Sequence, residues 1–186
     1  MALQTRELID KFNPEINDMQ EVQEAIIKET LRRIVDECIP RIIHCLENLT
    51  EEDVWYHHND NSNSMGVLIL HLCGNVRQWI LAGVCGQVDG RQRDLEFNPE
   101  NKPSKVELIQ KLNDLASDLS ARLPKIKGNI LLEVRKVQCY EETVLSMLIH
   151  ATEHFSYHTG QIVYFTKYLK DIDTAFYAGQ NLSANS

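Results

Sequence analysis

Three histidines recur at four-residue steps between Ile149 and Gln161: His150, His154 and His158. At about 100° per helical residue, His154 and His158 stand about 40° apart around one helix axis. Met147, Ala151, Ile162, Phe165 and Leu169 fall on nearly the same stripe, so both imidazoles should face a bundle interior. Two imidazoles on an apolar stripe are costly to bury without polar partners. A divalent cation meets that need by taking one lone pair from each ring. The i, i+4 spacing is that of the histidine pair in HExxH zinc helices. The alternative is a pair of core histidines hydrogen-bonded to carbonyls or carboxylates.

A second stripe strengthens the metal reading. His71 stands in the run Val67-Leu-Ile-Leu-His-Leu-Cys-Gly-Asn-Val-Arg-Gln-Trp-Ile80, which is apolar nearly throughout. Asn75 and Gln78 lie within about 40° of it on a helical wheel. Opposite them, Gln161 extends the stripe of His154 and His158. Two inward polar stripes in one core are expected to meet. Three neutral imidazoles on one ion, with a position open to water or substrate, make a catalytic type of site. Such ligands suit zinc, nickel or iron and do not choose among them.

The surrounding residues divide by geometry. His150 lies about 80° from His158, so it should support the site or the fold rather than hold the same ion. Asn75, Gln78 and Gln161 could orient a small-molecule substrate or the imidazoles. Arg91, Arg93, Asp94 and Glu96 cluster in one loop. They form either an anion clamp over the pocket mouth or a salt-bridge network, and the network is the favoured reading. Glu153 should be a surface or interface residue. His44, His57 and His58 read as plain polar residues. Cys73 is rotated about 200° from His71 and should face away from the ion. No obvious general base stands beside the histidines in the sequence, because Glu153 is rotated about 100° from His154, and no catalytic residue is assigned.

Four periodic segments must position these side chains. The first runs from about Asp18 to Asn48, with Pro40 expected to kink or divide it. The second runs from about Met65 to Val84, capped by Asn63 or Ser64 and closed near Gly86. A long charged loop follows, from Val88 to Pro99. Ser104 and Glu107 form a capping box for the third helix. Its apolar face carries Val106, Leu108, Ile109, Leu112, Leu115, Leu119 and Leu123, and Pro124 stops it. Between Asn129 and Tyr140 the β-branched alternation permits a short hairpin. The fourth helix runs from about Glu141 to Lys170, and the last dozen residues should fray. This predicts a single-domain, all-α four-helix bundle with long connections.

Composition narrows the partners. The chain has 186 residues and a formal charge of −8, with no lysine or arginine cluster, which disfavours nucleic acid and anionic membranes. No run of about 18 uninterrupted apolar residues predicts a membrane span. The N-terminal residues show no apolar signal-peptide region. The five cysteines, Cys38, Cys45, Cys73, Cys85 and Cys139, include no CxxC pair. They read as small buried apolar groups in a reducing, cytoplasmic compartment. Leu145, Ile149, Ser156, Thr159 and Val163 give the fourth helix a back that is too apolar for a solvated face. The second helix is apolar nearly all round, so a homodimer is expected.

Taken together, His71-Leu-Cys-Gly-Asn-Val-Arg-Gln-Trp-Ile80, Arg91-Gln-Arg-Asp-Leu-Glu-Phe97 and His154-Phe-Ser-Tyr-His-Thr-Gly-Gln-Ile162 resemble the DinB-like superfamily. They look most like a branch of uncharacterised bacterial proteins within it. The resemblance covers about Leu49 to Lys170. It implies a four-helix bundle, usually a homodimer, with a three-histidine metal site whose ligands here would be His71, His154 and His158. Relatives of other branches include bacillithiol S-transferases and the mycothiol-dependent maleylpyruvate isomerase. The superfamily's name comes from DNA-damage induction and does not imply DNA binding. The expected function is a metal-dependent enzyme on a small molecule, a thiol S-transferase using a low-molecular-weight thiol or a hydrolase. The alternative is a non-enzymatic metal-binding or stress-response dimer.

Overall fold

The computed structural model describes residues 14–184. The residues on which the signal-peptide expectation rests lie largely outside these. Helix α1 covers residues 14–48 in three continuous stretches: α-helical Pro14–Leu31, π-helical Arg32–Cys38 and α-helical Ile39–Asn48. Pro40 neither divides nor ends it. The backbone keeps right-handed helical dihedrals at both junctions, Leu31 and Ile39. Proline lacks an N–H and its ring crowds the carbonyl four residues back. The wider π turns just ahead of Pro40 relieve that crowding while the helix continues.

One turn, α2 (Glu51–Val54), follows under a capping box between Thr50 and Asp53. Helix α3 covers residues 65–84, α-helical over Met65–Val76 and π-helical over Arg77–Val84. Ser64 accepts from the Val67 amide at its start, and Gly86 takes a φ of 75° just beyond its end, where only glycine is unstrained. The charged loop contains the single turn α4 (Arg93–Glu96). Helix α5 (Lys105–Arg122) starts on the expected capping box, Ser104 with Glu107, and tightens to 3-10 geometry over Leu123–Lys125 at Pro124.

A hairpin does form. Strands β1 (Val134–Val137) and β2 (Tyr140–Thr143) pair antiparallel, from Val134 opposite Thr143 to Val137 opposite Tyr140. The last helix, α6 (Val144–Lys170), therefore begins three residues later than Glu141. Residues 141–143 are taken up by β2, and Thr143 caps α6 by accepting from the Ser146 amide at 3.1 Å. Arg135 ties the hairpin to the end of α3, donating to the carbonyls of Gly83 and Val84 at 3.1 and 2.7 Å.

The four long helices pack around one core. Helix α3 lies against α5 and α6, and α1 lies against the same two helices. Helices α1 and α3 thus occupy opposite corners, as do α5 and α6. Two connections, 49–64 and 126–143, must cross the bundle diagonally, which accounts for their length. Ile34, Ile42 and Leu46 of α1 meet Ile69, Leu72 and Ile80 of α3, Leu108 through Leu119 of α5, and Met147 and Phe155 of α6. Helix α3 is long and apolar enough to cross a membrane, but 67% of that stretch is buried inside the bundle. Its all-round apolarity is therefore used within one chain.

Several expectations need correction. Val106 is 74% exposed, on the outer side of the first turn of α5. Cys38, Cys45 and Cys73 are buried, but Cys85 is half-buried and Cys139 is exposed at the hairpin turn. Of the last dozen residues Phe176 is half-buried, while residues 177–184 are exposed. The tail doubles back after Asp171, burying Thr174 and placing the Phe176 ring 5.6 Å from His44 and under the Arg41 guanidinium.

Replacing Ser104 by alanine removes half of the α5 capping box. It should lower the unfolding free energy by about 1 kcal/mol. Urea titration would read this as a lower midpoint at unchanged slope. A wild-type midpoint would contradict the role given to the cap.

Candidate metal centre

His71 projects from the second turn of α3, and His154 and His158 from the middle of α6. One ring nitrogen from each lies within 4.8 Å of the other two. The closest approach, His71 Nε2 to His154 Nε2, is 2.9 Å. The ring centroids of His154 and His158 are 4.5 Å apart at 90°, and those of His71 and His158 are 5.5 Å apart at 90°. A tetrahedral cation with 2.0–2.1 Å bonds to nitrogen separates its ligand atoms by about 3.3 Å. The cluster is of the right size for one ion.

The outward nitrogens are held. His71 Nδ1 donates to Glu96 Oε2 at 3.0 Å, and His158 Nδ1 donates to Gln161 Oε1 at 2.7 Å. Arg91 Nη2 also lies 3.2 Å from His71 Nδ1; with the Nδ1 proton given to the nearer Glu96 carboxylate, the assigned tautomers leave the Nε2 lone pairs for the centre. Glu96 is held in turn. Arg91 donates through Nε to Oε1 at 2.7 Å and through Nη2 to Oε2 at 2.8 Å, a bidentate pair. The two side chains are only 3% and 9% exposed. Gln78 accepts from Arg91 Nη1 at 2.9 Å and donates to Asp89 at 2.7 Å, while the Arg91 amide donates to Asp89 at 3.0 Å. The charged loop is thereby laced onto α3.

Gly74 makes that docking possible. A Cβ there would stand 2.0 Å from Glu96 Oε1 and 3.0 Å from Arg91 Nε. The carboxylate occupies the space a side chain would fill.

The electrostatics favour neutral rings. Burial lowers the His154 pKa to about 4, helped by the charges His158, His71 and His150 would carry. Burial also lowers His158, against an opposing hydrogen bond to Gln161. For Glu96, burial alone would raise the pKa. The bonds from Arg91 and His71 outweigh it and keep the carboxyl below its usual range. His154 and His158 are thus held towards the uncharged form, ready to give lone pairs.

Each remaining residue has a definite place. His150 is not in the cluster. Its ring lies 4.0 Å from Trp79 and stacks on His154 at 5.6 Å. Asn75 is buried and lines a recess of about 440 Å³ that borders His71 and His154 and reaches Arg93 and Tyr140. Gln78 touches no imidazole and acts on the site only through Arg91. Arg93 lies over the Phe97 ring at 4.7 Å, and Phe97 packs against His71 at 5.4 Å. On the far side, His158, Gln161, Tyr157, Tyr164 and Phe165 line a second groove. Cys73 faces away, and burial pushes its thiol up to about 12.

Glu96 is the residue whose function the sequence left unassigned. It was grouped with the loop charges, and the salt-bridge alternative holds for Arg91 but leaves out the bond to His71. The available signal is Gly74, a bare position one turn from His71 in a largely apolar helix.

Two outcomes follow. Gly74→Ala should displace Glu96 and destabilise the fold by about 1–3 kcal/mol through overpacking, measured by chemical denaturation. An unchanged midpoint would contradict the close approach. For the metal-free protein, His154 binds its proton at about 4 when folded and near 6.5 when unfolded. Between those values the unfolded chain binds more protons, so stability should fall as pH drops from about 6.5 towards 4. A melting temperature that rises over that window would contradict the burial of neutral rings.

Over residues 19–178 the chain matches a family described as protein of unknown function (DUF1572). No curated protein is significantly similar to it.

Proposed function

The chain belongs to the DUF1572 family, and for it we propose a divalent-metal centre on His71, His154 and His158 that serves a reaction of a small molecule. The observation that carries this is the cluster of three ring nitrogens within 4.8 Å, two of them with their outward N–H groups already bonded. Three adjacent half-buried imidazoles converge on one point, with His71 and His154 Nε2 only 2.9 Å apart. A shared ion of zinc, nickel or iron satisfies all three. The resemblance of the motifs around these residues to the DinB-like superfamily supports the same ligand set.

That resemblance also favours S-transfer from a low-molecular-weight thiol, with hydrolysis as the related possibility. A bound cation would supply the positive charge that lowers the pKa of a thiol or water beside it. The protein's own part is positioning. Glu96 fixes the plane and tautomer of His71, and Gln161 does so for His158. Arg91 neutralises Glu96 and keeps it from acting as a base. The recess beside His71 and His154 admits the small molecule.

One observation favours a second reading, a metal-binding dimer without turnover. Glu96, the carboxylate bonded to the cluster, is consumed by Arg91 and His71 and is not free to move a proton. The exposed aromatic side of α6, with Tyr157, Tyr164 and Tyr168 each more than half exposed, supports self-association under either reading. Sedimentation at micromolar concentration checks it: a dimer is expected, and a monomer overturns it.

Elemental analysis of protein purified without an affinity tag should find about one divalent ion per chain. His158→Ala should abolish it, and Glu96→Gln should weaken affinity about 10- to 100-fold. Unchanged metal content in His158→Ala would remove the ligand assignment. Turnover of a thiol with a generic electrophile by the loaded protein supports the enzyme, and tight binding without turnover supports the second reading.

A further inference from the structure

Two buried side-chain polar atoms lack any hydrogen-bond partner among the described residues: Asn75 Oδ1 and Trp79 Nε1. Both residues are 4% exposed, and they are four residues apart on α3. Both line the recess that borders His71 and His154. Buried polar groups are nearly always paired, so two orphans in one recess call for a partner that enters it. The orphans are complementary: one is an acceptor, the other a donor.

The charges around the recess repeat that pairing. Arg91 is unavailable because its guanidinium is spent on Glu96 and Gln78. Arg93 lies on Phe97 and makes no ion pair among the described residues. Glu142 accepts from the Ser146 hydroxyl at 2.6 Å and pairs with no cation there. The walls thus offer a carboxylate, a guanidinium, an orphan carbonyl and an orphan N–H in one recess. Tyr140 and Trp79 stand 6.1 Å apart in the same wall and add ring faces that favour an ammonium group.

We propose that this recess binds a small zwitterion of the α-amino-acid type. Its ammonium group is taken by Glu142 and its carboxylate by Arg93, and its polar atoms supply the partners that Asn75 Oδ1 and Trp79 Nε1–H lack. A dicarboxylate would leave Glu142 and Asn75 Oδ1 facing anions, and a diamine would bring a cation against Arg93. A volume near 440 Å³ suits such a molecule. The proposal deepens the metal-centre reading, because the ligand lies against the His71–His154 edge, but its four contacts include no histidine.

The test follows the indole N–H signals of the ¹⁵N-labelled full chain, with Trp79 assigned by Trp79→Phe. L-alanine, propionate and ethylamine are titrated into zinc-loaded and chelator-stripped protein. L-alanine should shift the Trp79 signal downfield and saturate, at least about tenfold tighter than either half-molecule. Arg93→Gln and Glu142→Gln, both away from the core, should each weaken L-alanine about tenfold. Asn75→Leu should abolish the shift. The proposal is overturned if propionate or ethylamine binds as tightly as L-alanine, if both surface variants bind normally, or if no saturable shift appears in either form. A saturable shift in protein that takes up no zinc sinks the metal reading alone. Zinc uptake without a shift sinks the zwitterion site alone.

Discussion

An imidazole set into the side of a helical core loses much of its water and must recover partners for its ring nitrogens. Here that condition applies three times within a few ångströms. On the outward side it is met by Glu96 for His71 and Gln161 for His158. Glu96 is itself a buried charge, tolerable only because Arg91 grips both of its oxygens. Gln78 and Asp89 then hold Arg91. One requirement at His71 thus orders a whole loop, and the inward nitrogens converge, with His71 and His154 Nε2 2.9 Å apart, where one cation would meet all three.

The bundle supplies the rigidity this arrangement needs. Helix α3 is covered on nearly every side, so His71 stands on an element that cannot easily shift. Placing α3 beside α6 requires the chain to cross the bundle diagonally after α1 and again after α5. Those crossings carry the hairpin and the turn α2. The site therefore draws on α3, α6 and the one loop that returns over their junction.

Much of this was readable in the residues. The four-residue spacing of His154 and His158, and His71 alone in a greasy run, located the cluster. Ser104 with Glu107 fixed the start of α5, because a cap is a local hydrogen-bond pattern. What stayed hidden depends on tertiary contacts or on departures from the α-helix. The α-helical wheel put Gln78 beside His71, but π geometry begins at Arg77 and turns Gln78 towards Arg91 and Asp89. The bond from His71 to Glu96 spans 25 residues and depends on the bare surface at Gly74, which no periodicity reveals. Residues 141–143 fit a helix by composition, yet pairing with β1 claims them. The start of the tail looks too polar to order, yet Thr174 is buried and Arg41 lies over the rings of Phe176 and Tyr177.

The most direct test is the zinc-edge X-ray absorption spectrum of the tag-free protein after reconstitution with one equivalent of zinc. A three-histidine centre predicts imidazole scattering from three nitrogens at about 2.0–2.1 Å, reduced in His154→Ala. A spectrum showing only oxygen neighbours, or one that His154→Ala leaves unchanged, would contradict the account.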